Sequence, residues 1–149
     1  MDEFREGGFL LTKIHQVSGR IFNRVLKENN LSDINAGQGR ILYRLWQKDG
    51  IAIRELSDKT GLEKSTLTNM LDRMESEGKI RREYPAEDRR KVLIFLTKQY
   101  KDLQAAYRKV SGKMNEIYYK GFSGKEIDLF EEYLRRIFKN LDEAAGNEG

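Results

Sequence analysis

The stretch that decides the fold is GLEKSTLTNMLDRMESEG, residues 61–78. Within it Leu67, Met70, Leu71 and Met74 recur at i, i+3, i+4 and i+7, the spacing of one buried helical face. Ser65, Asn69 and Arg73 fall nearly opposite on the helical wheel, flanked by Thr66 and Thr68. The spacing predicts a helix at about 63–77, closed by Gly78. Before it, Gly61 is placed to take the left-handed conformation that ends one helix and allows a tight turn. The segment Arg54 to Thr60 supplies the helix that ends there. Two short helices joined by a glycine-centred turn are a helix-turn-helix.

Immediately downstream the periodicity changes. Ile80-Arg81-Arg82-Glu83-Tyr84 and Lys91-Val92-Leu93-Ile94-Phe95-Leu96 favour strand by residue type. Between them, Pro85 to Arg90 holds the only proline and reads as a hairpin tip. A basic hairpin at about 80–97 directly after a helix-turn-helix makes a winged helix. Between Lys79 and Lys91, Lys79, Arg81, Arg82, Arg89, Arg90 and Lys91 outnumber Glu83, Glu87 and Asp88. The whole chain carries only +4, so this stretch holds much of the excess positive charge. Such a patch suits a polyanionic partner.

Working outward, Asn35-Ala36-Gly37-Gln38 reads as a capping-box helix start, with Asn35 as N-cap. Ile41, Leu42, Leu45 and Trp46 give that helix its apolar face, and Asp49-Gly50 stops it. At the N-terminal end, Leu10, Ile14, Val17, Ile21 and Val25 recur at helical spacing and predict one long helix at about 9–29. Its stripe suits either a core or a subunit interface. Two helices are expected after the hairpin. Thr97 would cap the first, and Ser123-Gly124-Lys125-Glu126 is a capping-box start for the second, whose Ile127, Phe130, Leu134, Ile137 and Leu141 share a face. A chain this small has no obvious surface of its own to bury both terminal stripes, which points to a homodimer through the helices at about 9–29 and 98–144.

The expected architecture is mainly α, within the α+β class. It is a winged helix-turn-helix at about 34–97 between long terminal dimerisation helices, in a single domain spanning 1–149. About six helices and a two- or three-stranded wing sheet make it up.

Composition narrows the functional classes. The chain has no cysteine, which removes disulfides, thiolate metal sites and thiol redox sensing. One histidine, His15, leaves no catalytic triad, and no phosphate loop or paired-histidine metal motif is present. The reading is therefore not an enzyme, with no cofactor and no metal. His15 is expected in the core or the interface. No eighteen-residue apolar run or secretory leader is found, so a cytoplasmic protein with no membrane association is expected.

These elements, in this order, resemble the MarR family of transcriptional regulators over about Phe9 to Leu141. The resemblance is most specific in Gly61 to Glu75, which looks like the family's recognition helix. It is equally specific in Asp88-Arg89-Arg90-Lys91-Val92-Leu93-Ile94-Phe95-Leu96-Thr97, which fits the wing pattern D-x-R-x-x-x-[V/I]-x-L-T. It implies a two-fold dimer with intertwined terminal helices, repressing nearby genes from an inverted-repeat operator. It also implies, for many members, release of DNA by a small phenolic or drug-like effector. Three positions depart from the pattern. Asn69 stands where arginine is frequent, Glu63 where aspartate is usual at the helix start, and Gly39 where a bulkier residue is common.

The helix would enter the major groove with Ser65, Thr66, Thr68 and Asn69 as short polar readers, and Asn69 can pair bidentately with adenine. Lys64 and Arg73 would contact phosphates, although Arg73 can equally pair with Glu77 four residues on. At the wing, Arg90 would enter the minor groove, oriented by Asp88, with Arg89 and Lys91 on phosphates. Phe9, Leu10, Ile14, Val17, Ile127, Phe130, Leu134, Ile137, Phe138 and Leu141 would form the dimer interface. A winged-helix protein binding DNA without a preferred site, or a regulator answering to no ligand, would use the same residues.

Overall fold

The computed structural model describes residues 3–146, which fall into two compact units, one reaching Gly112 and one starting at Lys113. The first unit contains α1 (Gly7–Glu28), α2 (Ala36–Gln47), β1 (Ile51–Ala52), α3 (Ile53–Thr60), α4 (Lys64–Ser76), β2 (Ile80–Glu83), β3 (Leu93–Leu96) and α5 (Lys98–Lys101). α6 (Gln104–Tyr118) crosses the division, and α7 (Gly124–Gly146) lies in the second unit. No helix among the described residues is long and apolar enough to cross a membrane.

The small sheet has the order β1-β3-β2, antiparallel throughout. Ile94 of the central strand pairs with Ile51 on one side and Arg82 on the other, and Ile80 pairs with Leu96. Ile94 and Leu96 are buried while Leu93 and Phe95 are half-buried, the alternation of a sheet covered on one face. Ile51 and Ala52 thus supply a third strand before α3 begins at Ile53. Under the sheet, Leu42, Leu45 and Ile41 of α2, Leu56 of α3, and Leu67, Leu71 and Met74 of α4 are almost wholly excluded from solvent. Each such side chain contributes about 1.5–3 kcal/mol of burial.

Local chemistry explains the boundaries. Asn35 caps α2, its Oδ1 accepting from Gln38 N–H at 2.8 Å. The reciprocal half of the expected box does not form. The buried Gln38 side chain turns instead to Lys79, whose Nζ donates to its Oε1 at 2.8 Å, while the next N–H, that of Ala36, donates to Asn23 Oδ1 of α1 at 3.0 Å. Gly39 lies under Tyr107, and a Cβ there would strike the Tyr107 hydroxyl. The bulkier residue common at position 39 is therefore excluded by this chain's own tyrosine, which is buried against Trp46 with ring centroids 4.8 Å apart.

Seven helices form among the described residues, where about six were expected, because the helix after the wing breaks at Asp102–Leu103. In a continuous helix the Tyr100 carbonyl would accept from Gln104 N–H. Here it accepts from the Trp46 indole at 2.7 Å and, in a tight turn, from Leu103 N–H at 3.4 Å, and the helical ladder ends there. Thr97 occupies the N-cap of α5 without capping it. Its hydroxyl donates to Gly78 O at 2.8 Å and so closes the base of the wing.

In the second unit, the predicted capping box of α7 forms in both directions. Ser123 N–H donates to Glu126 Oε1 at 2.9 Å, and Glu126 N–H donates to Ser123 Oγ at 3.2 Å. These bonds hold the Glu126 carboxyl below its ordinary range. Tyr119 donates its hydroxyl to Glu131 at 3.0 Å and meets Phe122 and Phe130 edge-on. No residue of α7 is buried.

Candidate DNA interface

The helix-turn-helix geometry follows from Gly61, whose φ of 72° ends α3 in the left-handed region. Ser57 Oγ donates across the turn to Leu62 O at 2.7 Å. Glu63 then starts α4 without a side-chain cap, as its length predicts. The Glu63 side chain therefore leaves the opening turn of α4, the end of a helix that favours anions, uncapped.

With Leu67, Leu71 and Met74 buried, the opposite side of α4 faces outward. Ser65, Thr66 and Asn69 are exposed together there, and Lys64 is exposed at the start of the helix on the side of α3. Two other predicted DNA contacts, the reader Thr68 and the phosphate contact Arg73, are partly engaged. The Thr68 hydroxyl turns back to Lys64 O at 2.8 Å, and Arg73 Nε pairs with Glu77 Oε1 at 3.1 Å.

The wing divides its cations into two sets. Lys79 is 1% exposed; its Nζ meets Glu77 Oε2 at 2.9 Å, Gln38 and the carbonyl of Asp33. The bond from Lys79 is the main reason the Glu77 carboxyl is held below its ordinary range. Arg82 ties β2 to α4, with Nη2 2.7 Å from Asp72 and Nη1 2.8 Å from Glu75. Arg81 pairs with Glu83 and lies 4.6 Å over the Phe95 ring. These three were counted with the basic patch, but they brace the wing. Arg89, Arg90 and Lys91 remain exposed at the tip. Asp88 Oδ1 accepts from Arg90 N–H at 3.1 Å and Arg90 Nε at 3.2 Å, while 94% of the Arg90 side chain is exposed. The turn thus presents a guanidinium at its outermost point.

Between α3, the start of α4 and the C-terminal side of the wing tip lies a cleft of about 630 Å³, lined by Arg54, Asp58, Lys64, Arg90 and Lys91 among others. Arg54 and Asp58 carry no distinguishing signal in the sequence, because only the fold sets α3 beside the wing.

The predicted interface residues Phe9, Leu10, Ile14 and Val17 are exposed along α1, Phe9 by 70%. On α7, Ile137, Phe138 and Leu141 are exposed, and Ile127, Phe130 and Leu134 are half-buried. His15, expected in the core or the interface, is exposed on α1, which takes it out of the chain's own core and leaves it on the same helix as the predicted interface residues.

Residues 34–92 match the model of the MarR family. The transcriptional regulator HosA of Escherichia coli O111:H- is 29% identical over 110 residues, covering 74% of this chain and 82% of HosA. A mutant of MarR from E. coli, solved in complex with operator DNA, is 26% identical with a TM-score of 0.77, covering 87% of this chain and 91% of that one. BpsR of Bordetella bronchiseptica, whose DNA binding is regulated by 6-hydroxynicotinic acid, shares the fold with a TM-score of 0.78 at 20% identity, covering 89% and 98%. The winged helix-turn-helix, its exposed polar helix face and these likenesses converge: over residues 34–92 the chain matches the MarR family, and it is similar to transcriptional regulators of that family.

Proposed function

We propose that the protein is a homodimeric repressor that reads an inverted-repeat operator, with α4 in the major groove and the wing tip in the adjacent minor groove. The observation that carries this reading is the pairing of two exposed surfaces. One is Ser65, Thr66 and Asn69 on the outer face of α4; the other is Arg90, held by Asp88 at the tip of the wing. Hydroxyls and the carboxamide can bond base edges, and a narrow minor groove concentrates the negative potential that draws a guanidinium. Lys64, Arg89 and Lys91 would hold phosphates. Thr68 and Arg73 would contribute less, since both already have partners within the helix.

Dimerisation is supported by the apolar side chains that α1 and α7 each leave exposed. A two-fold dimer would set its recognition helices about 34 Å apart, one turn of DNA. Release by a small phenolic effector is proposed on the model of BpsR, whose DNA binding answers to an aromatic acid.

Selection of bound duplexes from a random library at physiological salt tests the reading. Enrichment of one inverted repeat is expected, with Arg90→Ala weakening its binding roughly tenfold or more. Binding without an enriched motif would instead identify a DNA-binding protein with no preferred site, and no binding by the folded protein would overturn the proposal.

A further inference from the structure

We propose that the cleft between α3, the start of α4 and the wing is a saddle for one strand of DNA backbone. Arg54 is its phosphate anchor and Asp58 is the charge that limits its grip. This rests on the groove-reading arrangement proposed above. If a helix occupies the major groove and a wing tip the neighbouring minor groove, the sugar–phosphate ridge dividing the two grooves must pass between those elements. The cleft lies in that position, bounded by Lys64 on α4 and by Arg90 and Lys91 on the wing, with α3 as its floor.

Its charge suits the same occupant. Arg54, Lys64, Arg90 and Lys91 line it against a single carboxylate, Asp58. Arg54 sits in the first turn of α3, where a cation opposes the helix dipole. No carboxylate lies within ion-pair distance of it among the described residues. Glu55 is taken by Lys48 and Lys59, each at 3.3 Å, and Asp58, one turn along, is not paired with Arg54. Arg54 therefore gains nothing from its own helix, and its exposed side chain on the cleft wall is available to make charge-assisted bonds to a phosphate. Asp58, also without a cation partner among the described residues, would face the same phosphate and repel it.

The test uses full-length protein carrying Arg54→Ala, Arg54→Lys or Asp58→Asn. Binding is measured across a salt series on the duplex selected by the parent protein and on an unrelated duplex. Arg54→Ala is expected to weaken both by the same factor, roughly tenfold. Its log–log salt slope should flatten by about one for each half-site. Arg54→Lys should keep the parent slope. Asp58→Asn should tighten both duplexes several-fold, an effect that damage to the fold would not produce.

An unchanged affinity and slope in Arg54→Ala, or weaker binding by Asp58→Asn, would overturn the saddle while leaving the groove-reading proposal intact. A parent protein that binds neither duplex would overturn both. Titration with inorganic phosphate, followed by amide shifts of residues 52–58 and 90–92, separates the two sources of the anion. Saturation at millimolar phosphate, with DNA affinity indifferent to Arg54→Ala, would assign the cleft to a free anion and overturn the backbone saddle.

Discussion

α4 and α7 are both amphipathic helices, yet they spend their apolar faces differently. α4, with 13 residues, buries Leu67, Leu71 and Met74 completely, while α7, with 23, buries none. The first helix is completed by its own chain and can therefore leave its polar face free for a ligand. The second keeps Ile137, Phe138 and Leu141 in water, the condition of a helix that awaits another surface.

The contrast can be broken most sharply at Leu71. Leu71→Ala removes a fully buried side chain and is expected to lower unfolding stability by about 2–5 kcal/mol, measured by urea denaturation. Leu141→Asp should leave the urea midpoint of the isolated chain nearly unchanged. It should instead convert a dimer to a monomer in sedimentation and weaken operator binding by about 100-fold or more, as the two half-sites lose their linkage. If Leu141→Asp destabilises the chain as much as Leu71→Ala does, α7 is a core helix and the distinction collapses.

A smaller effect sharpens the buried side of the comparison. Burial pushes the Tyr107 hydroxyl up to about 12. The folded state therefore resists ionisation that the unfolded chain undergoes near pH 10. Stability from this group is complete below about pH 10 and is lost as pH rises toward 12. In thermal melts between pH 9 and 11.5, Tyr107→Phe should fall less steeply than the parent. Equal slopes would remove Tyr107 from the alkaline transition.

The helix-turn-helix and wing were legible because their signals are local. Gly61, the four-residue apolar face of α4 and the change of period at Ile80 all lie within one short stretch. The Asn35 and Ser123 caps were legible for the same reason. What escaped depended on distant partners. The carbonyl at the break after Tyr100 is bonded by Trp46, 54 positions away in sequence. Lys79 and Arg82 read as part of a basic patch, because the sequence does not reveal that Gln38 and Glu77 enclose one and Asp72 and Glu75 clamp the other. Gly39 stood out only as a departure until Tyr107 was found lying over it. Of the candidate contacts, the exposed faces of α4 and the wing followed from periodicity, while Arg54 and Asp58 required the tertiary arrangement.

The Trp46 indole, bonded to the carbonyl where α5 gives way to α6, is the chain's only tryptophan. Its emission is therefore a single-site optical gauge of that joint. Any event that draws the Tyr100 carbonyl away leaves the indole N–H to water and shifts the fluorescence to the red, without a label or a mutation.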